Sequence, residues 1–81
     1  MTKRDYIQAQ RVKPIGEEGI RQCRTIIESA SFAKINEVMV DTFSASAILT
    51  VYDNVSDVVK QRIVTMPVSQ ITDIAFRILA K

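Results

Sequence analysis

The sequence predicts a mainly α protein: a compact bundle of about four helices with a short β-strand or hairpin before the central helix. Three observations predict it. Apolar residues recur at helical spacing in several separate segments. The chain has only two Gly and two Pro, too few for a turn-rich β-sandwich. The run Asp41–Val55, DTFSASAILTVYDNV, couples a capping residue to an apolar surface so wide that it needs neighbours on more than one side.

The 81 residues make one domain, read as a basic N-terminal arm over 1–15 and a single helical domain over 16–81. An apolar fraction of 47% is that of a folded chain, so general disorder is not expected. A core of this size leaves a small stability margin, and self-association is one way to widen it.

The arm contains Tyr6, Ile7, Val12 and Ile15 at irregular spacing, and Pro14 disfavours helix just before it. It reads as flexible or extended, with a short strand near Ala9–Lys13. It either lies on the body or swaps onto a partner subunit. Gly16–Ser31 follows as the first helix. Glu17 and Glu18 suit its positive end, and Ile20, Cys23, Ile27 and Ala30 fall on one face, widened by Ile26. Arg24 and Glu28 stand at i,i+4 on the wet side. Gly19 should weaken the first turn by about 1 kcal/mol relative to Ala.

Phe32–Val40 is denser in Val, Ile and Met. A tiny hairpin around Asn36-Glu37 is expected, with continued helix as the alternative; Glu is a poor second turn residue. Asp41 then caps the central helix. Its apolar side carries Phe43, Ala45, Ala47, Ile48, Leu49, Val51, Tyr52 and Val55, leaving a wedge of Ser46, Thr50, Asp53 and Asn54. Ser56 and Asp57 interrupt the chain and cap a helix to Met66, with Val59, Ile63 and Met66 inward. After Pro67, Val68–Ala80 reads as the last helix. Ser69 is its cap, and its stripe runs through Val68, Ile71, Ala75, Ile78 and Leu79 with Ile74 and Phe76 beside it. Arg77 and Lys81 sit at its negative end.

The chemistry-bearing residues do not assemble. There is no His, so the commonest general base and metal ligand is missing. The lone Cys23 excludes an intramolecular disulfide and a Cys-rich zinc site, fits a reducing compartment, and falls on a buried helix face. Asp53 and Asp57 straddle a helix break. The hydroxyls of Thr42, Ser44, Ser46 and Thr50 have no basic partner at a recognisable spacing. Two glycines make no phosphate loop. No catalytic residue, cofactor or metal is therefore expected, and no enzyme. No secretory signal or membrane span is expected either, which gives a cytoplasmic reading.

Charge is uneven. The first 14 residues hold Lys3, Arg4, Arg11 and Lys13 against Asp5, a net of +3; residues 15–41 carry −2 and residues 42–81 carry +1. Those four cations are the candidate partner-binding residues, for an acidic protein or for nucleic acid, against the plainer reading of a solvated terminus. A helix-turn-helix is the alternative function. The helices at 57–66 and 68–80 would form it, with Ser69, Gln70, Thr72 and Arg77 reading base edges. Pro67 in the turn, Asp73 near the phosphates and a nearly neutral body count against it.

Several residues also resemble a known group. Val40, Asp41, Ser44 and Ala45, then Val51, Tyr52 and Asp53, then Met66, Pro67, Ile74, Ala75, Phe76 and Arg77 follow a pattern of V-D-x-x-[ST]-A, V-Y-D and M-P…I-A-F-[KR]. Over residues 38–79 this resembles small uncharacterised helical proteins of tailed-bacteriophage genomes. The departure is Asn36-Glu37, where a turn glycine would be expected. The resemblance implies an origin rather than an activity. The functional expectation is a small, non-enzymatic, phage-encoded protein acting by protein–protein contact. It would be an accessory or inhibitor of a host or phage complex, or a small virion component, placed in the host cytoplasm or the virion and able to form homo-oligomers.

Overall fold

A computed structural model describes residues 2–80, and the expectation for Lys81 lies outside them. The element order is α1 (Lys3–Arg11), α2 (Gly16–Ser29), β1 (Ala33–Ile35), β2 (Val38–Val40), α3 (Thr42–Asp53), α4 (Asp57–Ile63) and α5 (Val68–Leu79). Among the described residues the protein is mainly α with one small antiparallel hairpin, and the helices number five rather than four.

The extra helix is the arm. Residues 3–11 form a helix rather than an extended segment, and no strand forms near Ala9–Lys13. Thr2 and Asp5 make a reciprocal capping box: the Thr2 hydroxyl accepts from the Asp5 amide and the Asp5 carboxylate accepts from the Thr2 amide. Arg11 lies in the last turn, where a cation is favoured. None of its residues is fully buried, and Ile7 and Gln10 are half-buried. Behind it the chain is clasped to the other end of the fold. The Ile15 amide donates to the Met66 carbonyl (2.8 Å) and the Gly16 amide to the Val64 carbonyl (2.9 Å), beside a bridge between Pro14 and Pro67. Gly16 enters α2 at φ 67°, a conformation that favours glycine.

The centre of the fold is α3, with α2 packed on one side and α5 on the other. Ile48 and Ala45 of α3, Cys23 of α2, Val40 of β2, and Val68, Ile71 and Ala75 of α5 are all 1% exposed or less. Asp41 caps α3 as expected, accepting from the Ser44 amide at 2.7 Å. The hairpin pairs Ala33 with Val40 and Ile35 with Val38, and turns Ile35 and Val40 into the core. Asn36 and Glu37 both take positive φ, the pattern of a type I′ turn. The unfavourable Glu37 is held by tertiary bonds. Arg11 Nε donates to its carbonyl (3.3 Å), Asn36 Nδ2 donates to the Pro14 carbonyl (3.1 Å), and Lys34 pairs with its carboxylate at 3.7 Å.

Several boundaries and faces differ from expectation. α2 ends at Ser29, because Ala30 adopts the left-handed conformation and the Ser31 and Ala30 amides turn back to the Ile26 and Ile27 carbonyls. Its buried line is Ile20, Cys23 and Ile26, while Ile27 and Ala30 face out. Arg24 bypasses Glu28 and pairs with Asp53 of α3. α4 stops at Ile63, and Val59 is exposed rather than inward. α5 has Pro67 as its N-cap, with no side-chain bond from Ser69. Phe43, Ile78 and Leu79, expected on apolar faces, are exposed rather than in the core.

Candidate protein-interaction surface

An apolar concave surface runs along α3. Phe43 opens that helix and Phe76 lies near the end of α5, so the two helices bring them together. Their rings stack with centroids 5.5 Å apart and planes at 22°. Stacking leaves Phe43 73% exposed, an unusual position for a large aromatic. Between Phe43, Phe76 and Leu79 lies a groove of about 350 Å³ floored by Ser46, Ala47 and Thr50. The floor is small and quiet: the Thr50 hydroxyl donates back to the Ser46 carbonyl at 2.8 Å.

Ser46 and Thr50 also border a second cleft of about 450 Å³ on the α2 side, with Ile27, Glu28, Leu49 and Asn54 around it. Ser46 and Thr50 line both hollows, one on the α2 side of α3 and one on the α5 side. In the α2-side cleft Arg24 grips Asp53 with both guanidinium nitrogens, at 2.7 and 3.2 Å. That hydrogen bond holds the Asp53 carboxyl below the usual carboxylate range. Both side chains are nearly half exposed, so the pair contributes roughly 0.2–1 kcal/mol. Asp41 caps the start of α3, its carboxyl lowered by the hydrogen bond from the Ser44 amide.

The candidate cations of the arm do not form one patch. Arg4 and Arg11 share a face of α1 with Ile7 and Gln8, whereas Lys3 and Lys13 fall outside that depression. Arg11 is engaged by Glu37. The nucleic-acid alternative is dispersed as well. Ser69 and Gln70 are exposed beside Asp73, the half-buried Thr72 hydroxyl donates to the Val68 carbonyl (2.7 Å), and Arg77 pairs with Asp73 at 3.0 Å. Among the described residues no three potential metal-ligating side chains converge, and no helix is long and apolar enough to cross a membrane. Sequence reasoning placed Phe43 in the core and so missed the groove, whereas Phe76 does pack half-buried against the core beside the expected stripe. It did read the wedge of Ser46, Thr50, Asp53 and Asn54, which is exposed throughout. No known family model, curated protein or solved structure matches this chain.

Proposed function

We propose that this chain is a non-enzymatic protein–protein interaction module of the phage-encoded kind, an accessory or inhibitor of a host or phage complex or a small virion component, acting in the host cytoplasm or the virion. The observation that carries the interaction reading is Phe43, held exposed by its stack on Phe76 at the mouth of an apolar groove. A rigid exposed aromatic beside a groove is how binding surfaces concentrate their energy. The phage origin is supported by the residue pattern of 38–79 alone.

The test is affinity capture from phage-infected cells with three full-length baits: the natural chain, Phe43→Asp, and Val58→Asp as an exposed control outside the groove. A protein retained by the natural and Val58→Asp baits and lost with Phe43→Asp supports the reading. Identical capture by all three, or capture of nothing, overturns it.

A further inference from the structure

The hairpin turn and the N-terminal helix are fastened to each other. Asn36 and Glu37 hold φ of 51° and 63°. Asn tolerates that region, but Glu is a poor residue for it, so the turn needs support from outside. Among the described residues, the hydrogen bonds that leave the hairpin from these two positions all run to residues 11–14. Arg11 Nε donates to the Glu37 carbonyl (3.3 Å), and Asn36 Nδ2 donates to the Pro14 carbonyl (3.1 Å) and, more weakly, to that of Lys13 (3.5 Å). The remaining polar contact, Lys34 with the Glu37 carboxylate, lies within the hairpin itself.

The dependence runs the other way as well. α1 has nine residues, a length that is marginal in water without packing. Its Ile7 and Gln10 are half-buried, yet no residue of α1 belongs to the core or to the partly buried side chains packed on it. Among the described residues, Arg11 to Glu37 is the one hydrogen bond from an α1 side chain to the body. Between α1 and the body lies a hollow of about 690 Å³, with Gln8 and Val12 on one side and Val38 and Pro67 on the other, so packing across this joint is incomplete. Immediately behind α1, by contrast, the chain is fixed by the bonds from Ile15 to Met66 and from Gly16 to Val64.

We propose that α1 is a strap latched to the hairpin turn. It lifts and unwinds about residues 12–14 while the clasp and the core stay closed, and lifting frees the turn from its left-handed form. Closed, the strap screens Val38 and Pro67, both half-buried; lifted, it exposes them. The two events are linked because they share a bond. The contact that holds α1 down is the one that holds Glu37 in an unfavourable conformation, so each closed state favours the other to the same degree. None of these residues lines the groove beside Phe43, so the strap stands apart from the interaction reading above.

Amide hydrogen exchange on the full native chain, read residue by residue, tests the strap. In the natural chain the amides of residues 7–11 are expected to exchange together and well ahead of those of α3. Arg11→Ala should lower the protection of residues 7–10 by roughly three- to tenfold, the ratio that one ordinary hydrogen bond supports. It should lower the protection of Val38, which faces Ile35 across the turn, along with them, and leave α3 unchanged. Losing the Arg11 charge from the last turn of α1 would by itself loosen α1 but not Val38. Glu37→Gly separates the two halves of the latch, because glycine holds the left-handed turn unaided. In that background Arg11→Ala should still loosen α1 and no longer move Val38. Amides of α1 as slow as those of α3 would overturn the strap, and so would an Arg11→Ala chain in which α3 loosens as much as α1, since the opening is then global. An Arg11→Ala chain whose Val38 keeps its natural protection would overturn the latch, as would a Val38 loosened equally with Gly at position 37.

Discussion

Replacing Gly19 by Ala sets two effects of opposite sign against each other. Intrinsic helix preference favours Ala by about 1 kcal/mol. The surroundings oppose it: a Cβ on Gly19 would overlap Cγ1 of Ile15 and stand in ordinary contact with its Cβ and Cδ1. Ile15 has little room to yield. It is 3% exposed, its amide is bonded to Met66, and its carbonyl accepts from Gly19 itself. The β-branched side chain must leave its rotamer, and overpacking of this kind costs about 1–3 kcal/mol. The clash should win, for a net loss of about 1 kcal/mol. In a domain this size that lowers the thermal midpoint by roughly 4–8 °C. Urea unfolding of four chains tests it: natural, Gly19→Ala, Ile15→Ala and the double variant. Ile15→Ala alone should cost about 2–5 kcal/mol. With the clash gone, adding Gly19→Ala to it should stabilise by up to ~1 kcal/mol. A midpoint that rises for Gly19→Ala in the natural background would refute the reasoning.

Three other outcomes follow from local geometry. Ala30 and Glu37 hold left-handed conformations that cost an L-residue roughly 1–2 kcal/mol, so Ala30→Gly and Glu37→Gly should each raise stability by ~0.5–1 kcal/mol in urea melts, after the greater unfolded-state freedom of glycine is subtracted. Burial pushes the Cys23 thiol up to about 11, from 9.0 when exposed, so the unfolded chain ionises first. The stabilisation is whole below pH 9 and is lost as pH rises towards 11; the natural chain should therefore lose stability across that window, and a Cys23→Ala chain should show a flatter pH dependence. The thiol should also resist a disulfide reagent at pH 8 until urea unfolds the chain. Asp41 has a lowered carboxyl pKa because it accepts from the Ser44 amide. Its contribution is present above the ordinary carboxylate range and lost as pH falls through the folded value, so an Asp41→Asn chain should show a smaller drop in thermal midpoint below pH 4 than the natural chain.

The legible parts of this fold were those written in local chemistry plus a sustained period. Asp41 before an apolar run marks the start of α3, Ser56 marks α4, and the stripe Val68, Ile71, Ala75 marks α5; all three stand where expected. α1 was misread because its signal is of a different kind. Thr2 and Asp5 are a capping box without an apolar face behind it, and a search led by periodicity passes over it. The side-chain errors share one cause. A helical wheel gives direction around an axis but not which neighbours stand there, so Phe43 and Leu79, on the apolar sides of their helices, looked buried. The candidate surface was illegible for the same reason. It joins residues 33 positions apart, and only the packing of α5 against α3 brings Phe43 to Phe76.

The clasp of Ile15 and Gly16 onto Met66 and Val64 also sets an order of events in time. These bonds join points about fifty residues apart, and closing such a loop costs about 3.5 kcal/mol of chain entropy before any contact repays it. α2, the hairpin and α3 are neighbours in sequence and can assemble without that cost. The clasp then belongs to the native side of the folding barrier. Weakening it, for instance by Ile15→Val, should speed unfolding while leaving refolding nearly unchanged, a division that the two limbs of a denaturant rate plot would display. The segment that anchors α1 is thus the last to be fastened and the first to come undone.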